Sequence, residues 1–265
     1  MKEPQPLTPG RTVIQGIYGL PGAGKTRLAG SSAYKTLIIR PPTDHTDSIG
    51  EKDNIEEVVI SDWSEQLEHF QWGQQGGYKQ YTWVWLDGVT LFEEIGMDDV
   101  FGHVVMQKPH RAENGPDKGE YGVNRQRLGK WLRDMIGLSK EGHFNFGFTA
   151  HVMEYVDPVE SETIWIPQVG DRDGKFAMKL CGYTNICAYL KASDEDKKPR
   201  KETLLVDGEG FIGKDQYNCF PKLKSGRHGF INPTLTDIED AIASKKRPRS
   251  RPVAAKKRRT TRKKK

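Results

Sequence analysis

The sequence predicts an α/β fold in which a largely parallel sheet is flanked by helices, and three observations support this. Short apolar, β-prone segments alternate along the chain with segments of helical periodicity. A glycine-rich loop, residues 19–26, lies between the first such strand and the first helix. An aromatic and β-branched strand, residues 81–86, ends in an aspartate. The alternation favours a parallel sheet because parallel strands need long crossover connections, which are usually helices.

Each element is predicted from its own residues. Strands, recognised by β-branched and aromatic runs between turn residues, are expected at 12–18, 36–40, 57–60, 81–86, 144–150, 164–166, 183–190 and 203–206. Helices are expected at 25–32, 62–71, 121–138 and 235–242. The clearest helix is 121–138, where Leu128, Trp131, Leu132, Met135 and Ile136 recur on one face. Residues 98–118, with scattered His, Gly and Pro, are predicted to form a long irregular loop.

Charge divides the chain into an acidic body and a basic tail. Residues 245–265 contain 13 Lys or Arg and no Asp or Glu, so the preceding residues, with 28 basic and 36 acidic side chains, carry a formal charge of −8. The tail has almost no apolar residues and is not expected to fold by itself. We therefore expect a flexible N-terminus at 1–11, one folded domain at 12–244 and a disordered basic tail at 245–265.

The composition favours a soluble protein of the cytoplasm. No stretch approaches the roughly 18 apolar residues of a membrane helix, and residues 1–11 lack the apolar run of a secretory signal. The three cysteines, Cys181, Cys187 and Cys219, fit no zinc-binding spacing and are expected to be reduced and at least partly buried. We expect the cytoplasm of a bacterial host, or the nucleus if the host is eukaryotic, and no membrane contact.

The glycine-rich loop has the spacing GxxxxGK[ST], which predicts a site for a nucleoside triphosphate, most simply ATP with Mg²⁺. It consists of Gly19, Leu20, Pro21, Gly22, Ala23, Gly24, Lys25 and Thr26. Its glycines allow successive backbone N–H groups to point inward and form an anion nest. The lysine supplies a positive charge to the β- and γ-phosphates, and the threonine supplies a hydroxyl to Mg²⁺. A chance match is the alternative, but the strand before the loop and the helix after it are the context that the motif requires.

Asp87 is the predicted second partner of the metal, together with Thr26. It follows the strand 81–86, and in nucleotide-binding folds of this kind an aspartate at the end of a neighbouring strand holds Mg²⁺. The alternative is an aspartate that ends a strand and opens a turn with Gly88.

The motifs in this order resemble those of phage RecA-like P-loop ATPases of single-strand annealing and recombination. The resemblance runs from about Val13 to Ile242 and rests on GLPGAGKT, WVWLDGVT, EYGVNRQRLGKWLRDMIGL, FNFGFTAH and FPKLKSGRHGFINPTLTDIEDAI. It implies a RecA-like fold of the AAA type, with ATP and Mg²⁺ as cofactors. It also implies ATP hydrolysis and action on single-stranded DNA. The implied assembly is a head-to-tail homo-oligomer with ATP between subunits, and a single-strand-binding protein is a further candidate partner.

The resemblance also implies roles for four residues outside the loop. His151, at the end of the strand 144–150, matches a polar sensor of the γ-phosphate; the plainer alternative is a histidine that caps a strand. Lys222, Lys224 and Arg227 resemble basic residues that reach the ATP site of the neighbouring subunit, where a cation stabilises charge on the transferred phosphoryl group. Their alternative is a solvated basic loop.

The sequence departs from the RecA-like pattern at the residue that orients the attacking water. Such ATPases usually carry a glutamate just after the second strand, whereas here that strand is followed by Pro41-Pro42-Thr43-Asp44. The candidate substitutes are Asp44 or Asp47, and Glu93 or Glu94. The choice among them stays open, and so does the choice between a fast ATPase and a protein that uses ATP binding as a switch.

Two basic regions bear on nucleic-acid binding. In the tail, the expected contacts are Lys245, Lys246, Arg247, Lys256, Lys257, Arg258 and Arg259. The tail has no aromatic residue for base stacking. A split nuclear-localisation signal and a merely solubilising tail are its alternatives. In the helix 121–138, the cations between Arg125 and Arg133 are most simply a solvated face, and lining a DNA path is the alternative.

Three functional hypotheses follow. The leading one is an ATP-dependent protein acting on single-stranded DNA in phage recombination or replication. The second is a P-loop kinase of a nucleoside or another small acceptor, for which a lid rich in arginine would be expected; residues 98–118 contain only Arg111. The third is an ATP-gated DNA-loading adaptor with little hydrolysis.

Overall fold

The computed structural model describes residues 12–156, 161–170, 174–193 and 201–245. The predicted flexible N-terminus, residues 1–11, and the basic tail beyond residue 245 lie outside the described residues. The expectations for these two segments therefore stay predictions.

A large, mainly parallel sheet forms the centre of the described part of the molecule. Its parallel strands are β1 (Ile14–Tyr18), β2 (Thr36–Arg40), β3 (Ile55–Val59), β4 (Trp83–Leu86), β5 (Asn145–Ala150) and, further along the chain, β8 (Ile186–Ala192). A separate antiparallel hairpin consists of β6 (Val152–Val156) and β7 (Thr163–Pro167). Antiparallel strands β9 (Glu202–Leu205), β10 (Lys214–Asp215) and β11 (Gly229–Ile231) extend the sheet beyond β8. The order is β11-β9-β8-β1-β5-β4-β2-β3, with β10 also paired to β8.

Helices connect the parallel strands and cover the sheet. They are α1 (Lys25–Ala29), α2 (Trp63–Gln74), α3 (Val89–Gln107), α4 (Lys118–Gly142), α5 (Lys175–Tyr183) and α6 (Leu235–Lys245). One group of buried apolar residues includes Val84, Leu86 and the apolar stripe of α4, and a second group includes Trp83, Trp85 and the apolar residues of α1 and α6. Because alternate residues of β4 belong to the two groups, the sheet is buried on both faces. The predicted α/β fold, with a mainly parallel sheet flanked by helices, is confirmed.

The predicted irregular loop at 98–118 is wrong. Helix α3 continues through Gln107, a short 3₁₀ helix follows at Pro109–Glu113, and α4 begins at Lys118. The apolar residues of α3 are not confined to one stripe, because α3 packs against α4 as well as β5 and α2. Gly96 shows how close this packing is, since a Cβ there would collide with the Asn124 side chain of α4. Tertiary contact therefore stabilises a helix that periodicity did not reveal.

The strand predicted at 183–190 is also partly wrong. Residue 183 ends α5, and the strand β8 begins at Ile186. Helix α5 was not predicted, although Phe176, Ala177, Leu180 and Cys181 are buried at helical spacing. Strand β6 was missed as well, because it lies in a small hairpin whose residues are only partly buried and show no continuous apolar run.

The three cysteines are free and buried, as predicted. The Sγ atoms of Cys181 and Cys187 lie 3.0 Å apart, at the end of α5 and near the start of β8. In the part of the chain that the structure describes, no helix combines the length and the apolar character needed to cross a membrane.

Candidate nucleotide-binding site

The glycine-rich loop connects β1 to α1 and has the backbone shape of an anion nest. Gly22 and Gly24 have φ angles of 72° and 95°, a region that disfavours any residue with a side chain. A Cβ on Gly19 would collide with the backbone carbonyl of Leu190 in the neighbouring strand β8. Glycine is therefore required at these positions by backbone conformation or by close approach, and the loop can present its N–H groups to phosphate.

Lys25 is folded back onto the loop. Its Nζ donates hydrogen bonds to the carbonyl oxygens of Gly19 and Leu20, at 3.1 and 3.0 Å. The side chain is buried, and this burial lowers the pKa of the ammonium group, whereas the charges of Asp87 and Asp44 raise it. The lysine is thus held where phosphate oxygens would meet the loop, with two carboxylates nearby.

Asp87 follows β4 and is almost completely buried beside the loop. The Thr149 hydroxyl on β5 donates to its Oδ1 at 2.5 Å and accepts from the Gly88 backbone N–H at 2.8 Å. Burial, with a smaller contribution from the charge of Asp44, raises the pKa of Asp87 to about 6, although the hydroxyls of Thr149 and Thr26 and the charge of Lys25 act in the opposite direction. Thr149 therefore orients a carboxylate that also contacts the last residue of the phosphate loop.

The residues at this point fit Mg²⁺. Asp87 Oδ2 is buried and has no hydrogen-bond partner, so one carboxylate oxygen retains its full capacity to accept. A buried polar atom without a partner is destabilising by itself, and a bound cation or one of its water ligands would satisfy it. The donor set, one carboxylate and the Thr26 hydroxyl, is the hard-oxygen set that Mg²⁺ prefers. Among the described residues, no group of three or more His, Cys, Asp or Glu side chains is placed to hold a metal ion by protein ligands alone.

Sheet order explains how His151 reaches the same place. Strand β5 lies between β1, which leads into the loop, and β4, which leads to Asp87. His151 directly follows β5, and its backbone N–H donates to the Thr90 hydroxyl at 3.0 Å. Burial lowers the pKa of the His151 imidazole, and the charge of Lys25 lowers it further, while Asp44 raises it. A neutral imidazole is therefore favoured beside the loop.

The structure separates the four carboxylates proposed to orient water. Asp44 follows β2 and interacts electrostatically with Lys25, Asp87 and His151. Asp47 is exposed in the same connection. Glu93 and Glu94 lie on α3 beside the β6–β7 hairpin, in a separate cleft of about 640 Å³.

Glu93 is also held in this cleft by a hydrogen bond. It accepts a hydrogen bond from the Gly170 backbone N–H at 2.8 Å, and burial raises its pKa. Of the four candidates, Asp44 is therefore the one that the fold brings to the loop.

Two residues of the site carried no signal in the sequence. One is Thr149, an ordinary strand residue until β4 and β5 are paired. The other is Glu202 of β9, which is buried against Gly24 and forms an ion pair with Arg27 of α1. Both lie far along the chain from the residues they contact, so only the strand pairings bring them to the site.

The remaining predicted residues are not brought to this site. Lys222, Lys224 and Arg227 are exposed on the turn that precedes β11. That strand is at one edge of the sheet, and two strands separate it from β1. Of the predicted tail contacts, Lys245 is the last residue of α6, and the other six, Lys246, Arg247, Lys256, Lys257, Arg258 and Arg259, lie outside the described residues.

A comparison with curated proteins finds no match to this chain. The model of an AAA domain family, AAA_24, matches residues 12–217, which include the phosphate loop, Asp44, Asp87, His151 and Glu202. The match covers more than half of the chain and all of the parallel strands. The chain therefore belongs to this AAA domain family, among the P-loop ATPases.

Proposed function

We propose that this protein binds ATP with Mg²⁺ and hydrolyses it while acting on single-stranded DNA in phage recombination or replication. One observation carries the enzymatic part: Lys25, Asp87, Asp44 and His151 come from four separate connections and interact with one another at the mouth of the loop. A convergence of titratable groups, of which Lys25, Asp87 and His151 have shifted pKa values, is typical of a reaction centre.

Each residue has a distinct part in this proposal. Lys25 and the loop N–H groups bind the phosphates, and Mg²⁺ held by Thr26 and Asp87 would neutralise phosphate charge when it is bound. Asp44 is the group we propose to orient the attacking water. Within the described part of the chain its carboxylate accepts a backbone hydrogen bond from the adjacent His45, whereas Glu93 is held by Gly170 of another segment. His151, kept neutral by burial and by Lys25, is proposed to contact the γ-phosphate as a hydrogen-bond donor.

Assembly and DNA binding rest on other features. Lys222, Lys224 and Arg227 are exposed at the sheet edge, which supports the proposal that they act on the ATP of a neighbouring subunit in a homo-oligomer. The 13 cations of residues 245–265 support binding to the phosphates of single-stranded DNA. A single-strand-binding protein remains a candidate partner from the family resemblance.

The direct test is ATP turnover by the full-length protein, with and without single-stranded DNA, at two salt concentrations. We expect Mg²⁺-dependent turnover that DNA increases at low salt and that Lys25→Ala abolishes. The matched control is Lys35→Ala, which removes a lysine paired with Glu56 just before β2, at the end of the parallel strands opposite the loop. Absence of DNA binding at low salt would refute the DNA part of the proposal. ATP binding by Lys25→Ala equal to that of the wild type would refute the nucleotide site itself.

Residues 98–118 do not form the arginine-rich lid that the kinase hypothesis would require. Residues 98–107 belong to a helix, and the guanidinium of Arg111 is held by Asp117 and Glu120 at the start of α4. Phosphate transfer to a nucleoside that is insensitive to DNA would nevertheless favour a kinase over our proposal. ATP-dependent assembly without turnover would favour the adaptor.

A further inference from the structure

A groove of about 600 Å³ between α4 and α5 collects five cationic side chains. It is lined by Arg125, Gln126, Arg127, Lys130 and Arg133 of α4, and by Phe176 and Lys179 of α5. We call it the α4–α5 groove. The sequence alone favoured a solvated face for the α4 cations, with a DNA path as the alternative, and it did not reveal α5 at all.

The groove forms where Phe176 of α5 approaches Gly129 of α4. A Cβ on Gly129 would lie 2.8 Å from the Phe176 ring, so α5 can approach α4 only because residue 129 is glycine. Phe176 is 9% exposed and forms the floor. Arg125 and Arg133 lie one turn to either side of Gly129, about 6 Å along the helix in each direction. Lys179 adds a cation from the opposite wall.

Ion pairs neutralise only part of this charge. Arg127 pairs with Asp99 at 2.7 Å and also lies over the Trp63 ring, 4.5 Å from its centroid. Lys130 pairs with Asp134 at 2.5 Å. Within the described residues, neither Arg133 nor Lys179 forms an ion pair, and both side chains are exposed. The groove therefore keeps a net positive charge.

This charge contrasts with the rest of the folded body. Residues 1–244 carry a formal charge of −8. If their charged side chains were scattered evenly over the surface, a cluster of cations at one place would not be expected. The charges converge from two helices onto one concave surface, where field lines of one sign are focused toward a ligand of the opposite sign. A solvated helix face would explain the α4 cations, but it does not explain the contribution of Lys179 from α5.

We propose that the α4–α5 groove binds the phosphate backbone of single-stranded DNA. This inference deepens the proposed function, on which it rests, by assigning a DNA-binding surface to the folded domain in addition to the basic tail. Among the described residues that line the groove, Phe176 is the one aromatic side chain and it is buried, so these residues offer no exposed ring for base stacking. Binding should therefore be independent of sequence and strongly dependent on salt.

The experiment uses full-length protein in which four of the 13 tail cations are removed by Lys256→Gln, Lys257→Gln, Arg258→Gln and Arg259→Gln, so that the tail contributes less to binding. In this background, Arg133→Gln with Lys179→Gln tests the groove. The matched control, Lys108→Gln with Lys140→Gln, removes the same charge from exposed helix ends outside the groove. Affinity for fluorescein-labelled oligo-dT is measured by anisotropy at about 50 and about 200 mM salt. Binding of a fluorescent ATP analogue reports whether the nucleotide site stays intact.

We expect the groove variant to bind DNA at least about tenfold more weakly than the control. Its salt slope should fall by about 1.4, since each phosphate contact on a single strand contributes about 0.7. ATP-analogue binding should be equal in both variants.

Three results would overturn the inference, and each refutes a different part of it. Wild-type protein that binds no DNA at low salt refutes the proposed DNA function and the groove together. Wild-type protein that binds DNA, with groove and control variants of equal affinity, refutes the groove alone and leaves the proposed function standing. A groove variant that loses binding to poly-glutamate but retains binding to DNA identifies the occupant as an acidic protein segment.

Discussion

The carboxylate of Glu202 occupies the space that a side chain on Gly24 would need. Its atoms lie closer to that ideal Cβ position than van der Waals contact allows, and the same carboxylate pairs with Arg27 in the first helix turn after the loop. Strand β9 thereby supports the phosphate loop from behind. The glycine at residue 24 is required twice, once by its φ of 95° and once by its neighbour.

A double-mutant cycle separates these two requirements. Gly22→Ala introduces only backbone strain, since no atom lies within 4 Å of the added Cβ, and we expect a loss of about 1–3 kcal/mol in the free energy of unfolding. Gly24→Ala should lose about 1–3 kcal/mol more through overpacking against Glu202. Adding Glu202→Ala to Gly24→Ala should recover the stability lost through overpacking but not the stability lost through backbone strain. Urea denaturation is measured for the wild type, Gly22→Ala, Gly24→Ala, Glu202→Ala and the Gly24→Ala/Glu202→Ala double variant. A purely additive cycle of the last two sites would show that Glu202 does not constrain Gly24.

Asp87 should make the stability of the ligand-free protein depend on pH. Burial raises its pKa from 3.8 to about 6, so the native state keeps the proton in a range where the unfolded chain has lost it. The stabilisation is complete below pH 3.8 and is lost as pH rises through about 6. In buffer without Mg²⁺ at pH 8, Asp87→Asn should therefore unfold at a higher urea concentration than the wild type. Its free energy of unfolding should be larger by up to about 3 kcal/mol. The difference should disappear near pH 4, and a difference that is constant with pH would contradict this origin.

Asp44 should govern turnover rather than binding. Asp44→Asn keeps the size of the side chain but removes the carboxylate beside Lys25 and His151, and we expect turnover to fall by about 10²–10⁴. Affinity for an ATP analogue should change little. Glu94→Gln is the matched control, because Glu94 lies in the separate cleft beside the β6–β7 hairpin. Loss of turnover in Glu94→Gln with normal turnover in Asp44→Asn would reverse the assignment.

His151 should act as a neutral group. Burial and the charge of Lys25 lower the pKa of His151 in the folded protein. The stability that the neutral imidazole contributes is therefore present above pH 6.5, the pKa in the unfolded chain, and is lost as the pH falls through the lower pKa of the folded state. We expect His151→Ala to reduce turnover more than His151→Gln, which retains a hydrogen-bond donor, while both bind ATP. Equal turnover in the two variants, at every pH from 6 to 8, would show that no donor is needed at this position.

The motifs that the sequence revealed are contiguous in the chain. Residues 19–26 specify a phosphate loop because spacing, glycines and lysine all lie in one short segment, and the strand before Asp87 shows its burial in its own composition. The apolar stripe of α4 was equally visible, since every residue needed to recognise it lies within two turns of another. These features depend on local periodicity, which a single sequence contains in full.

Other features were decided by tertiary structure alone. Nothing local distinguishes Asp44 from Glu93 or Glu94 as the carboxylate at the loop, and only the position of the connection after β2 does so. Thr149 meets Asp87 because β5 lies between β1 and β4, and Glu202 meets Gly24 because β9 turns back along β8. Helix α3 lacks one apolar stripe because its packing against α4 and α2 uses more than one face. The sequence by itself determined which functional groups the motifs of this chain contain. The order of the strands determined which side chains lie together at the loop, because contacts between residues far apart in the chain exist only after the sheet has formed.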